Sequence, residues 1–165
     1  MTMATTVSYT IPYLRKLGYE AAQVERYNPH TMTRHDFFGF ADVLAIIPPF
    51  KVPDVFCTKF YGCLAIQCCA QVDVQKHINN ILIDDHDKRN MVIKWLRCSN
   101  RFEIWGWAKR SVRNEDGSFK CYKHGGRVPK KQQPKFYRIT WEDDQLWTYE
   151  DETETVEDPR KNPLN

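Results

Sequence analysis

The amino-acid sequence predicts an α/β domain with a mixed sheet, and three observations carry that prediction. Residues 40–47 (FADVLAII) and 63–70 (CLAIQCCA) are short and almost continuously apolar, as strands buried on both faces are. Residues 74–96 then place apolar side chains at helical spacing, and residues 102–107 (FEIWGW) return to a strand-like run. A helical crossover between two strands favours parallel pairing, so the sheet should combine both senses.

From the N-terminus, residues 10–17 put Ile11, Leu14 and Leu17 on one helical face, with Pro12 near the first turn and Gly18 after the end. A short amphipathic helix is expected there. Residues 19–27 (YEAAQVERY) read as a first strand, closed by Asn28 and Pro29. The strands at 40–47 and 63–70 are joined by a long connection containing Pro48, Pro49 and Pro53, too long for a tight hairpin and suited to touching a ligand. Val74, Ile78, Ile81 and Leu82 mark the next helical face, which should end near Ile83. A shorter helix from about Lys88 would bury Met91, Val92, Trp95 and Leu96 and stop at Ser99 and Asn100. Residues 137–141 and 145–149 alternate around Glu142, Asp143 and Asp144, as in a small terminal hairpin.

A chain of 165 residues has room for one compact domain with modest extensions, and 42% apolar residues suffice for its core. No stretch approaches the roughly 18 consecutive apolar residues of a membrane span, and the opening MTMATTVSYT lacks the parts of a secretory signal. A soluble, cytoplasmic protein without membrane contact is expected. The six cysteines should therefore stay reduced. A zinc site from Cys57, Cys63 and His86 or His124 is conceivable, but no C-x-x-C pair exists, and packing as small apolar groups is the simpler use.

The net charge of +3 hides a segregation. Residues 109–138 hold ten Lys and Arg against two acids, whereas residues 142–158 hold nine acids and no base. Such a basic stretch suits a phosphate backbone, with Lys109, Arg110, Lys130, Lys131 and the more distant Arg34 as candidate contacts; a solvated loop is the plainer alternative. The acidic tail reads as solvent-facing chain or as a competitor for the basic face. Tyr122, Phe136 and Tyr137, with Trp105 and Trp107, could stack on bases, although core packing is the commoner use of such residues.

Asp42 interrupts an apolar run, and a buried carboxylate needs a partner. Arg34, His35 or a backbone amide would serve, and so would a divalent metal ion. Gln67 interrupts the next apolar run and shares a strand face with Cys63, Ala65 and Cys69 by the two-residue alternation. Two polar interruptions in neighbouring buried strands suggest one site.

These residues also resemble a known family. Arg26 to His30 (RYNPH), then Arg34 to Ile46 (RHDFFGFADVLAI), then Ala65 to Cys69 (AIQCC) and Phe102 to Trp107 are similar to the PD-(D/E)XK nuclease superfamily, in particular to small phage-encoded Holliday-junction-resolvase-like proteins. The resemblance covers most of residues 10–108. It implies a restriction-endonuclease-like core at 10–108, after an N-terminal extension (1–9) and before a basic region (109–138) and a short hairpin with acidic tail (139–165).

By that resemblance Asp42 is the metal-binding aspartate, Gln67 replaces the acid of the E-x-K element and Cys69 replaces its lysine. Asp42, Gln67 and Asp36, with Glu25 and a main-chain carbonyl near Cys68, would hold Mg²⁺ or Mn²⁺. Lys76 would stand in for the lysine, with His77 as an alternative, giving Asp42, Gln67 and Lys76 as the catalytic set. Otherwise Asp36 is a turn cap, Glu25 a solvent-facing strand residue, and Lys76 and His77 lie on a hydrated helix face. The implied function is metal-dependent hydrolysis of phosphodiesters in double-stranded, branched or otherwise structured DNA, in a host cytoplasm if the source is viral. Resolvase-type relatives often act as homodimers. The alternatives are a nuclease-fold DNA-binding or protein-interaction protein without catalysis, and an unrelated α/β interaction protein whose Asp42 is internally paired.

Overall fold

The computed structural model describes residues 3–46, 63–98 and 100–151. A six-stranded mixed sheet forms its centre, with helices on both faces. In chain order the elements are α1 (Met3–Lys16), β1 (Glu20–Gln23), β2 (Arg26–Asn28), β3 (Thr33–His35), β4 (Val43–Ile46), β5 (Cys63–Ala70), α2 (Val74–Asn79), α3 (His86–Arg97), β6 (Arg101–Arg110), β7 (Lys131–Glu142) and β8 (Gln145–Asp151). The sheet order is β1-β4-β5-β6-β7-β8, and β2 with β3 forms a separate ribbon. Only the β5–β6 pair is parallel, as the intervening helices require.

Alternation sorts the two cores. Leu64, Ile66 and Cys68 of β5 face α1, together with Trp105 and Trp107 of β6. Ala65 and Cys69 face α2 and α3, where Val74, Ile78 and Val92 pack with Phe102 and Ile104. On the α1 side the Thr10 hydroxyl accepts from Trp107 Nε1 (2.9 Å) and lies 3.3 Å from Cys68 Sγ, while Thr6 Oγ1 donates to the Cys68 carbonyl at 3.3 Å. Those bonds satisfy polar groups that burial would otherwise penalise. Glu103 of β6 is likewise buried, and it accepts from Arg101 Nη2 and Trp105 Nε1, both at 2.8 Å.

Several sequence expectations need correction. The first helix starts at Met3 rather than near Thr10, so Pro12 lies inside it. The strand expected over 19–27 is broken into β1 and β2, and Asp42 stands just before β4 rather than mid-strand. The helix after β5 opens with a 3₁₀ turn at Gln71–Asp73 and closes with a π turn at Asn80–Asp84. The terminal hairpin forms around Asp143 and Asp144, but it is longer than expected and belongs to the main sheet, because β7 starts at Lys131 and pairs with β6 over nine residues (Phe102↔Ile139 to Arg110↔Lys131). Cys68 and Cys69 are buried as expected, whereas Cys98 and Cys121 are exposed. The proline-containing connection, Cys57 and the tail beyond Asp151 lie outside the described residues. Among the described residues no helix is long and apolar enough to cross a membrane.

Candidate functional site

The sequence around Asp42 makes a tight turn that presents this residue to β5. Phe38 (φ 52°) and Gly39 (φ 78°) are both left-handed, and Phe40 N–H donates to the Phe37 carbonyl at 3.2 Å. Two consecutive positive φ values define a type I′ turn, and glycine at the second position lowers its cost. The Asp42 backbone is then held from both sides. Its N–H donates to the Ile66 carbonyl and its own carbonyl accepts from Val24 N–H, each at 2.9 Å.

The Asp42 carboxyl is fully buried, and one oxygen does all the bonding. Oδ2 accepts from Gln67 Nε2 and from the Cys68 N–H, both at 2.7 Å. Oδ1 is buried without a hydrogen-bond partner among the described residues. Burial pushes the Asp42 pKa up to about 7; the Cys68 amide opposes the rise, and the charges of Asp36 and Glu25 add to it. Asp36 is raised as well, first by burial, with Lys88 acting against the shift. Asp42, Asp36 and Glu25 therefore form an electrostatically coupled acidic group.

Glu25 and Asp36 line a cleft of about 560 Å³ with Gln23, His35, Phe37 and Phe38. Gln67 joins Asp42, as two polar interruptions in neighbouring apolar runs suggest, but it does so as a donor. Cys69 packs among apolar residues with its Sγ 3.9 Å from the Trp105 carbonyl, so no cation occupies the expected lysine position. Lys76 is exposed on α2, and its charge acts on His77, whose pKa is lowered chiefly by burial and next by Lys88. Lys88, at the start of α3, is the basic residue that acts on both Asp36 and His77. Sequence reading passed over it, because only the packing of α3 brings it here. The Cys68 carbonyl accepts from Thr6 on the α1 side.

Among the described residues, no three His, Cys, Asp or Glu side chains converge so as to hold a metal ion alone. Mg²⁺ does not need such a cage, since it keeps waters and takes one or two carboxylates together with substrate phosphates. Asp42 Oδ1 supplies one unpartnered carboxylate oxygen toward this narrower requirement, with Asp36 and Glu25 adding negative potential, but it is closed to solvent and does not line the cleft of Glu25 and Asp36.

Lys109 and Arg110 end β6, and Lys130 and Lys131 lie where β7 begins. Lys109, Lys130 and Lys131 are exposed, while half-buried Arg110 donates from Nη2 to Gln71 Oε1 at 3.0 Å. Arg34 belongs to β3, where it pairs with Tyr27 through the backbone. The strand registers bring the ends of β1, β5 and β6 to the same end of the sheet as the starts of β4 and β7. Asp42 therefore stands on the side of the sheet toward which β5 and β6 run, and β6 continues six residues past the Gln67↔Ile104 pair before the basic chain leaves it at Arg110. No family model, no curated protein and no solved structure matches the chain.

Proposed function

We propose that this chain is a PD-(D/E)XK-like nuclease that hydrolyses phosphodiester bonds of DNA, structured DNA in particular, with a divalent cation. The observation that carries the reading is a shared direction: a buried carboxylate with one orphaned oxygen stands at the start of β4, on the side toward which β6 runs out into the Lys- and Arg-rich chain. The helix, the three antiparallel strands β1, β4 and β5 and the parallel β6 also support a nuclease-like core.

Asp42 Oδ1 would hold Mg²⁺ or Mn²⁺, with Asp36 and Glu25 reinforcing its negative field. When bound, the cation would polarise the scissile phosphate and lower the pKa of a bound water. Gln67 Nε2 and the Cys68 N–H fix the carboxylate by engaging Oδ2, which leaves Oδ1 as its ligating atom. Lys88 offsets the charge of Asp36 and would substitute for the missing E-x-K lysine. Lys109, Lys130 and Lys131 would neutralise backbone phosphates outside the cleft.

One observation favours a second reading, a nuclease-fold protein that binds DNA without cutting it. Cys69 packs in the core where a catalytic lysine is expected, and Gln67 brings no charge. Incubating linear, nicked and four-way-junction DNA with the full chain and Mn²⁺ separates the two. Cleavage by the wild type and none by Asp42→Asn is the expected result; equal cutting by Asp42→Asn would remove Asp42 from the mechanism. Salt-sensitive, metal-independent binding without any cleavage would establish the second reading in place of the first.

A further inference from the structure

The chain between Arg110 and Lys131 is not an open loop. Bridges pair Arg113 with Phe119 and Cys121 with Arg127, and the Lys120 N–H donates to the Val112 carbonyl while its own carbonyl accepts from Val128 N–H, each at 2.9 Å. Gly117, Gly125 and Gly126, all with positive φ, supply the reversals. The result is a hydrogen-bonded arm of two small turns.

Both arginines of this arm lie on one aromatic ring. The Arg113 guanidinium carbon is 4.6 Å from the Phe119 ring centroid and that of Arg127 is 4.2 Å from it. Each cation is attracted by the ring, but the two repel one another. Among the described residues neither guanidinium has a carboxylate within salt-bridge distance. The neighbouring acid Asp116 accepts from the Ser118 N–H at 2.8 Å and, with Glu115, lines an open pocket beside Arg113 without reaching salt-bridge distance. Phe119 thus gathers two like charges that no salt bridge pairs among the described residues, in an exposed position flanked by exposed Lys120 and Lys123. Arg113 gives one N–H to the Gly117 carbonyl, which fixes the plane of a group with five donors.

We propose that Arg113 and Arg127, held by Phe119, form a clamp for the sugar-phosphate backbone of DNA. The inference rests on the DNA-directed reading above and names where the backbone is gripped. Planar guanidinium forks match phosphate oxygens two at a time, and a bound phosphate relieves the repulsion that the ring imposes. Phe119 is a positioning residue, since it holds the arginines rather than touching the phosphate. A ring that only stapled the arm together would leave the salt dependence of DNA binding unaffected.

The test is fluorescence anisotropy of a labelled four-way junction with the full chain over a range of KCl concentrations. Folding of each variant is checked by its thermal melt. Arg113→Gln/Arg127→Gln should lower the slope of log K against log salt by about 2 and weaken binding at least about tenfold. Arg113→Lys/Arg127→Lys should keep the slope yet bind more weakly, because charge is retained while stacking and the planar fork are lost. Phe119→Leu should weaken binding roughly fivefold and lower the salt slope, and Phe119→Tyr should restore both; a slope unchanged in Phe119→Leu would leave the ring a staple only. Lys94→Gln, at an exposed position of α3, is the single-charge control. A double Gln variant indistinguishable from Lys94→Gln would overturn the clamp while leaving DNA binding intact. A wild type that binds no DNA would overturn the DNA-directed reading, and the clamp with it.

Discussion

Asp42 releases its proton at about 7 in the folded chain, against an ordinary value of 3.8. Between those values the folded state binds more protons than the unfolded one. This group's contribution is therefore most favourable below about pH 4 and is lost as pH rises toward 7. Urea denaturation without divalent cation should show stability falling across that window, and Asp42→Asn should flatten the fall. At pH 8 the variant should exceed the wild type by an order of 2 kcal/mol, and Mn²⁺ should narrow the gap by stabilising only the wild type. Asp42 was legible in the sequence because a carboxylate stands out in an apolar run. Its Gln67 partner was legible as the second polar interruption, in the neighbouring apolar run. Glu103 sits in an equally apolar run, yet its answer, Arg101 two residues away, is an internal ion pair that advertises no function. Lys88 could not be read, because its effect on Asp36 depends on how α3 docks.

At the scale of elements, the crossover from β5 to β6 works only because Gly106 has no side chain. A Cβ there would stand 2.5 Å from Val74 Cγ2 and 2.8 Å from Gln71 Oε1. Gly106→Ala should push α2 off the sheet and cost about 1–3 kcal/mol, read as a lower urea midpoint with an unchanged slope. A midpoint equal to the wild type would mean that the crossover yields without cost. Buried apolar strands were the most legible elements, since β5 and β6 need little beyond composition to be recognised. α1 was read too short for a physical reason. Its first half relies on Thr6 and Thr10, which are buried although polar, and Thr10 satisfies itself by donating to the Thr6 carbonyl at 3.0 Å. Residues of this kind carry no hydrophobic signal, and Pro12 argues locally against a helix that packing of Val7 and Leu14 sustains.

For the molecule as a whole, the placing of Asp42 on the side of the sheet toward which β6 runs out into the basic arm was not legible, because it follows from strand order and direction rather than from any local pattern. It makes the arm separable from the sheet. Replacing residues 112–129 by an Asn-Gly turn should leave the melting temperature within a few degrees, since β6 and β7 still pair from Arg110↔Lys131 inward. The same deletion should sharply reduce the salt dependence of DNA binding, and a collapse of the fold would show that the arm is part of the core. The bond from Trp107 to Thr10 has a different consequence, in the order of synthesis. It joins residues 97 apart, so α1 leaves the ribosome well before β6 exists. At about 5–20 residues per second, the part of α1 that Trp107 covers stays open for roughly 5–20 s on the nascent chain, whereas β1, β4 and β5 are available to pack on the rest earlier. The closing of α1 against β6 is therefore timed by translation rather than by the intrinsic speed of helix formation.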